Sequence, residues 1–283
     1  MVNKYYNRNI GIMSSLNGRV ENGLTLDAKI SIAKTVVHDA LNNFHNPAAV
    51  WSGGKDSTVV LHLIKTVTEE NGLKIPPCIF VDHGDHFDET FKIMGDVSKS
   101  WNVRVIFVKN EDVLSHIGKD SRIQVSDLNE SNQREIKKLK FEGNSFEYSL
   151  NSVEANHLLK TVPMNDAIRS YQFDALFTGI RWDENPARSS EVFMSQRMDP
   201  AHMRVHPILL FTERNIWQYI FKFNIPFHPL YELGYRSIDG KMDSHKVGDK
   251  PAWEQDLEHT TERAGRAQDK EALMEKLRRA GYM

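Results

Sequence analysis

The sequence predicts an α/β fold: a doubly wound, mostly parallel five-stranded sheet with helices on both faces and an irregular C-terminal tail. Three observations predict it. Short apolar runs alternate with stretches of helical period, the pattern of βαβ units joined by right-handed crossovers. A glycine-rich loop, Ser52-Gly53-Gly54-Lys55-Asp56-Ser57, stands between the first such run and the helix after it. The 283 residues, 40% apolar and 26% charged, have the make-up of an ordinary globular chain long enough for one large domain with extensions.

The elements follow in order. Thr25 is a natural N-cap, and Ile30, Ala33, Val37, Ala40, Leu41 and Phe44 recur at three- and four-residue intervals, so an amphipathic helix is expected until Asn46-Pro47. Residues 48–51 read as a short buried strand, and residues 58–67, apolar nearly all round, as a helix buried against a sheet. Residues 77–82 and 103–108 are the second and third strands, with Phe87, Phe91, Met94, Val97 and Trp101 keeping a helical period between them. The pattern weakens over 118–156, where Asn129 to Gln133 precede the basic Lys137, Lys138 and Lys140; a solvated or mobile insert is expected, with a substrate lid as the sharper alternative. Pro163 suits position N1 of a helix carrying Met164, Ala167, Ile168 and Tyr171. A fourth strand is expected at 174–178 and a fifth at 204–210, after which Thr212 caps a helix with Ile216, Trp217 and Ile220 on one face. Prolines 226 and 229 with Gly234 and Gly240 mark turns, and a short helix bearing Leu273, Leu277 and Ala280 closes the tail. This divides the chain into an extension and helix over 1–45, a main α/β domain over 46–240 and a tail over 241–283.

The 36 basic and 38 acidic residues give a formal net charge of −2, which argues against a general nucleic-acid or membrane-surface binder and makes any anion site local. The single cysteine, Cys78, excludes an intramolecular disulfide framework and a cysteine-based metal cluster within one chain, so a reducing, cytoplasmic setting is expected. No signal-peptide run stands at residues 1–9, and the apolar stretches fall far below the roughly 18 residues of a membrane span.

The hexapeptide 52–57 carries the strongest chemical signal. A helix N-terminus at the carboxyl end of a parallel strand offers unpaired N–H groups and a partial positive charge to phosphate oxygens. The glycines let the backbone approach, Lys55 adds a charge, and Ser52 and Ser57 add hydroxyl donors. The adjacent glycines fit neither the Walker A spacing nor a dinucleotide fingerprint. Two more strand ends carry polar groups: Asp82-His83-Gly84-Asp85-His86, and Gly179-Ile180-Arg181-Trp182-Asp183-Glu184 with Arg188 beyond. A metal at Asp85/His86 is disfavoured for want of a third ligand at suitable spacing. Arg181 suits a tetrahedral oxyanion. Asp183, Glu184 and Arg188 form a local surface salt-bridge set, or else Asp183 or Glu184 orients Arg181.

These residues resemble the PP-loop ATP pyrophosphatases, whose S-G-G-x-D-S loop the hexapeptide matches, and their PAPS reductase-like branch, whose V-D-T-G-x-x-F element is matched by Asp82 and Gly84. Gly179, Arg181, Asp183, Glu184 and Arg188 are similar to the G-x-R-x-D-E-x-x-x-R element of the small, catalytic subunits of sulfate adenylyltransferase. So are Val205-x-Pro207, Thr212-Glu213-x-x-Ile216-Trp217-Gln218-Tyr219-Ile220 and the tail from Thr261 to Tyr282. Residues 229–238 instead look like the H-P-L-x-x-x-G-Y-x-S-I-G turn of PAPS reductases, which attack sulfur with a C-terminal cysteine that has no counterpart after Cys78. The resemblance implies an adenine nucleotide alpha-hydrolase-like fold, with ATP and Mg²⁺ as substrate and sulfate as acceptor. It also implies a catalytic set of Lys55, Arg181 and Arg188, and pyrophosphate held by residues 52–57 with Asp82, Gly84 and Gly179. Arg263 and Arg266 would fold over the nucleotide or dock a partner, with a GTPase large subunit acting in trans. A homo-oligomer is left open, and nucleic acid and membrane are not expected. The alternative is a sulfonucleotide reductase-like or non-catalytic binding protein. Lys55 is expected to be an exposed loop residue whose removal leaves the fold intact.

Overall fold

The computed structural model describes residues 23–184, 188–260 and 262. Helix α1, Leu26–Asn43, starts where Thr25 accepts from the Ala28 N–H, and it buries Ala33, Val36, Val37 and Ala40. Strands β1 (Pro47–Val50) and β2 (Cys78–Val81) are four-residue, largely apolar segments, as strands covered on both faces must be, and β3 (Val105–Val108) is equally apolar but leaves Phe107 exposed at the sheet edge. They alternate with α2 (Lys55–Asn71), which runs longer than the apolar stretch at 58–67, and α3 (Asp88–Ser100), whose expected periodic residues Phe87 and Trp101 are its two caps.

Between β3 and the strand that returns beside β1, the chain builds a small satellite. Helix α4 (Glu111–Ser115), β4 (Arg122–Gln124), α5 (Glu130–Lys138) and antiparallel β5 (Ser145–Glu147) enclose their own apolar core of Val113, Ile123, Leu128, Ile136, Phe146 and Leu158. The expected solvated or mobile insert is thus a packed unit. Its apolar residues are spread over several short elements, so no single window shows a period. The next helix also begins earlier than Pro163 suggests: α6 (Val153–Asn156) and a π turn at His157–Thr161 lead directly into α7 (Val162–Tyr171). The wide π turn sits where a proline's missing N–H and ring clash are most easily absorbed.

Strand β6 (Ala175–Phe177) pairs with β1 and with β8 (Ala201–Val205), both parallel, and β7 (Met194–Met198) closes the edge antiparallel to β8. The sheet order is β3-β2-β1-β6-β8-β7. The five expected strands are therefore the parallel ones, and a sixth joins them. Met-Ser-Gln-Arg-Met lacks an apolar run, which hid β7 from the sequence. The fifth strand lies at Ala201–Val205 rather than 204–210, because residues 207–210 form a buried turn.

Helices cover both faces. Helices α1, α2, α3 and α8 (Glu213–Lys222) share one core with Trp51, Phe80, Phe177 and Val205, while Ala167 and Ile168 of α7 pack with Ala48, Ile79 and Leu176 on the other face. Thr212 and Asn215 form a capping box at the start of α8, and Trp217 and Tyr219 are buried in the core. No helix among the described residues is long and apolar enough to cross a membrane.

Candidate functional site

The strand order reverses between β1 and β6, and their diverging carboxyl ends open the crevice where α/β sheets bind ligands. The loop after β1 enters it from one side. Gly53 holds a φ of +76°, and Gly54 caps α2 without a side-chain hydrogen bond. Trp51 Nε1 donates to Thr58 Oγ1 at 3.0 Å, and Thr58 donates to the Gly54 carbonyl at 2.9 Å, pinning the loop to the helix. The Ser52 and Ser57 hydroxyls lie 3.1 Å apart.

The loop after β6 enters from the other side. A Cβ on Gly179 would lie 3.0 Å from the Asp56 carbonyl carbon and the Ser57 nitrogen, so only glycine permits this approach to the α2 terminus. The two loops border an open cavity of about 210 Å³, whose lining includes Ser52, Lys55, Ser57, Thr178, Arg188 and Glu262. Asp82 and Gly84 stand at the end of β2, where Asp82 Oδ1 accepts from the Gly84 N–H at 3.0 Å, and they do not line this cavity. Arg263 and Arg266 lie outside the described residues.

Lys55 is 1% exposed, which corrects the expectation of an exposed loop residue. Its Nζ donates to the Arg236 carbonyl at 2.9 Å and to Glu262 Oε1 at 2.6 Å, with Glu213 at 3.6 Å and Asp56 at 3.7 Å. Burial alone would lower its pKa, but Glu262 and Asp56 outweigh burial and hold it above the usual lysine range. Arg181 is fully buried, ion-paired to Asp56 and Glu262 and bonded through Nε to Asp183 at 3.0 Å. Against the cost of its burial, these carboxylates keep it charged. Arg188 pairs with Glu184, four positions before it in the sequence.

Four partners in this network carried no sequence-level signal as site residues. Arg236, in the turn-rich stretch before the tail, holds Glu213 through Nε at 2.9 Å and Nη2 at 2.8 Å. Tyr231 accepts from the Lys55 N–H at 3.1 Å. Glu262 joins Lys55 to Arg181 from 207 positions beyond the lysine. Three buried cations, Lys55, Arg181 and Arg236, thus meet four carboxylates, Asp56, Asp183, Glu213 and Glu262. That excess of carboxylate has a cost. Burial, with Glu262 and Glu184 nearby, pushes the Asp56 pKa up to about 6 against the opposing pull of Arg181 and Lys55. Burial likewise raises Asp183 and Glu213.

Residues 46–246 match the family described as the phosphoadenosine phosphosulfate reductase domain. Sulfate adenylyltransferase subunit 2 of Buchnera aphidicola subsp. Acyrthosiphon pisum (strain Tuc7) is 29% identical over 226 residues, covering 72% of this chain and 66% of the relative. The chain therefore spans about two thirds of that relative's length. Sulfate adenylyltransferase subunit 2 of Escherichia coli O9:H4 (strain HS) is 27% identical over 246 residues, covering 76% of this chain and 72% of the relative. Two solved structures share the fold. The phosphoadenylyl-sulfate (PAPS) reductase of Candida auris, in a phosphate complex, aligns with a TM-score of 0.55 at 19% identity, covering 78% of this chain and 97% of its own. The FMN adenylyltransferase of Candida glabrata aligns with a TM-score of 0.60 at 15% identity, covering 91% and 94%.

Proposed function

The chain belongs to the phosphoadenosine phosphosulfate reductase domain family, and from that premise we propose that it is an adenylyltransferase that joins the AMP moiety of ATP to sulfate and releases pyrophosphate. The observation that carries this reading is the convergence of two buried cations, Lys55 and Arg181, on a single carboxylate, Glu262, beside the α2 terminus. Two cations that one Oε1/Oε2 pair can bridge suit the oxygens of a pyrophosphate group equally well. The relatives named sulfate adenylyltransferase subunit 2 support sulfate as the acceptor.

In this mechanism the β and γ phosphates lie on residues 52–57 and Mg²⁺ enters with ATP as part of the substrate. Asp56 and Glu184 are oxygen donors of the kind Mg²⁺ takes. A sulfate oxygen attacks the α-phosphorus in line, the bond to the bridging oxygen breaks, and pyrophosphate leaves with the electron pair. Sulfate is already ionised, so no general base is required. The work of Lys55 and Arg181 is positioning and neutralisation of charge on the leaving group. Cys78, the only cysteine of the sequence, is buried on β2, and burial raises its thiol pKa, which disfavours thiol-based reduction by this residue. The subunit designation of the relatives supports a large subunit acting in trans, and the reading retains a cytoplasmic setting.

The test is pyrophosphate release from MgATP with and without sulfate, repeated with a GTPase subunit and GTP. Sulfate-dependent release is expected. Release that ignores sulfate, or none under any condition, overturns the assignment.

A further inference from the structure

A second group of cations stands beside the loop cavity, on the sheet edge that the sequence did not reveal. Strand β8 alternates its side chains. Val205 lies in the core formed with α1 and α2, and Met203 packs against it, so Arg204 faces the opposite side, in register with Leu176 of β6 and Ser195 of β7. Arg197 lies on the same face, donating from Nη1 to Ser195 Oγ at 3.0 Å. His206 follows, its Nδ1 2.6 Å from Thr178 Oγ1. Thr178 and Arg188 line the loop cavity, so the group adjoins it.

This cluster is short of counter-charge. Glu184 pairs with Arg188, and Glu191 lies 3.5 Å from Arg197 and 3.6 Å from His206. Arg204 forms no ion pair among the described residues, and its Nε is buried without an acceptor, as is the Nε of Arg197. Burial and the neighbouring guanidinium of Arg197 push the Arg204 pKa down to about 10, with Glu191 opposing and Arg188 adding to the shift. Even so, the group stays charged at neutral pH. The side chain keeps partial exposure, which leaves it reachable. A buried cation without an anion costs free energy that a bound anion would return.

We infer that Arg204, with Arg197 and Arg188, forms an anion subsite on the β7–β8 face that binds a tetrahedral oxodianion, either free sulfate or a phosphate monoester of a nucleotide. Three guanidinia around one dianion reverse the charge balance at this edge, and each offers forked N–H donors. The inference deepens the proposed function, because it assigns the acceptor side of that reaction a place next to the pyrophosphate loop.

The test uses the full chain as wild type, Arg204→Met and Arg204→Lys, titrated calorimetrically in chloride buffer with sodium sulfate, adenosine 5′-phosphate, adenosine 3′,5′-bisphosphate and pyrophosphate. Sulfate affinity is expected to fall by about tenfold or more in Arg204→Met and to return in part in Arg204→Lys, while pyrophosphate affinity stays within about twofold. If wild type prefers the bisphosphate over the monophosphate and the variant loses that preference, the oxodianion is a ribose phosphate. Loss confined to sulfate makes it the free ion. Sulfate and bisphosphate affinities that are unmeasurable, or that are equal in all three proteins, overturn the inference. In sulfate-free buffer Arg204→Met should melt a few degrees above wild type, since it removes an uncompensated buried charge. A lower melting point would make Arg204 a structural cation and also overturn the inference. Failure of wild type to bind pyrophosphate would count against the loop reading alone.

Discussion

The two cation groups at the carboxyl side of the sheet differ in how their charge is met. At the β1–β6 crevice, Lys55, Arg181 and Arg236 are enclosed by Asp56, Asp183, Glu213 and Glu262. At the β7–β8 edge, Arg204 is partly buried, its Nε lacks an acceptor, and it forms no ion pair among the described residues. The first group is held together by internal anions and must exchange one of them to take a ligand. The second has a deficit that a ligand can fill directly. Buried ion pairs are weak evidence for net stability, but breaking one by removing a single partner is costly. The two sites should therefore respond in opposite directions to loss of their cation.

The sharpest way to break the comparison is Lys55→Ala. The change leaves Glu262 and Glu213 facing each other without the lysine, at an expected cost of about 3–5 kcal/mol, read from the urea midpoint. Pyrophosphate release should fall by about a hundredfold or more. A variant as stable as wild type would show that the buried network does not hold this end of the fold. Next in size is Gly179→Ala. Its new Cβ would meet backbone atoms of Asp56 and Ser57 at 3.0 Å and must move the two loops apart. Stability should drop by about 1–3 kcal/mol and pyrophosphate affinity by about tenfold. An unchanged affinity would separate the loop from pyrophosphate binding.

Glu262→Gln addresses the competition between internal and bound anions. The amide keeps a hydrogen-bond acceptor for Lys55 but removes the negative charge, so pyrophosphate should bind about three- to tenfold more tightly. Weaker binding in calorimetry would mean that the carboxylate assists the ligand rather than standing in its place.

What the sequence made legible follows from where the information resides. The hexapeptide 52–57, the Thr25 and Thr212 caps and the first four parallel strands are local patterns, and each stands in the structure where its spacing placed it, whereas the fifth strand lies earlier than expected. Asp183 orients Arg181 two residues away, one of the two roles its spacing allowed. The partners that decide the electrostatics were not legible, because Lys55–Glu262 and Arg181–Asp56 are contacts 207 and 125 positions apart. Arg204 was hidden for a different reason. It opened an apolar run read as a strand, and only the register with Leu176 and Ser195 shows which face carries its charge. The satellite core was missed because Ile123, Ile136 and Phe146 sit on separate short elements.

The smallest expected effect is also the one that separates the two sites by pH. Asp56, with its pKa raised to about 6, is largely ionised at pH 7.5 and largely protonated at pH 5.5. Its ionised form pairs with Arg181 and so opposes an incoming anion. Because the folded pKa lies above the ordinary carboxyl value, the fold holds the proton more tightly than the unfolded chain does. This contribution to stability therefore grows as pH falls through 6. Asp56→Asn removes the titration. The ratio of variant to wild-type pyrophosphate affinity cancels the ligand's own protonation, and it should be about two- to fivefold at pH 7.5 and approach one at pH 5.5. At the β7–β8 edge, burial first and the nearby arginines second hold His202 and His206 below the usual histidine range. Sulfate affinity there should consequently stay flat over the same interval and be indifferent to Asp56→Asn. A ratio that ignores pH, or a sulfate affinity that follows Asp56, would mean that the two cation groups behave as one electrostatic unit.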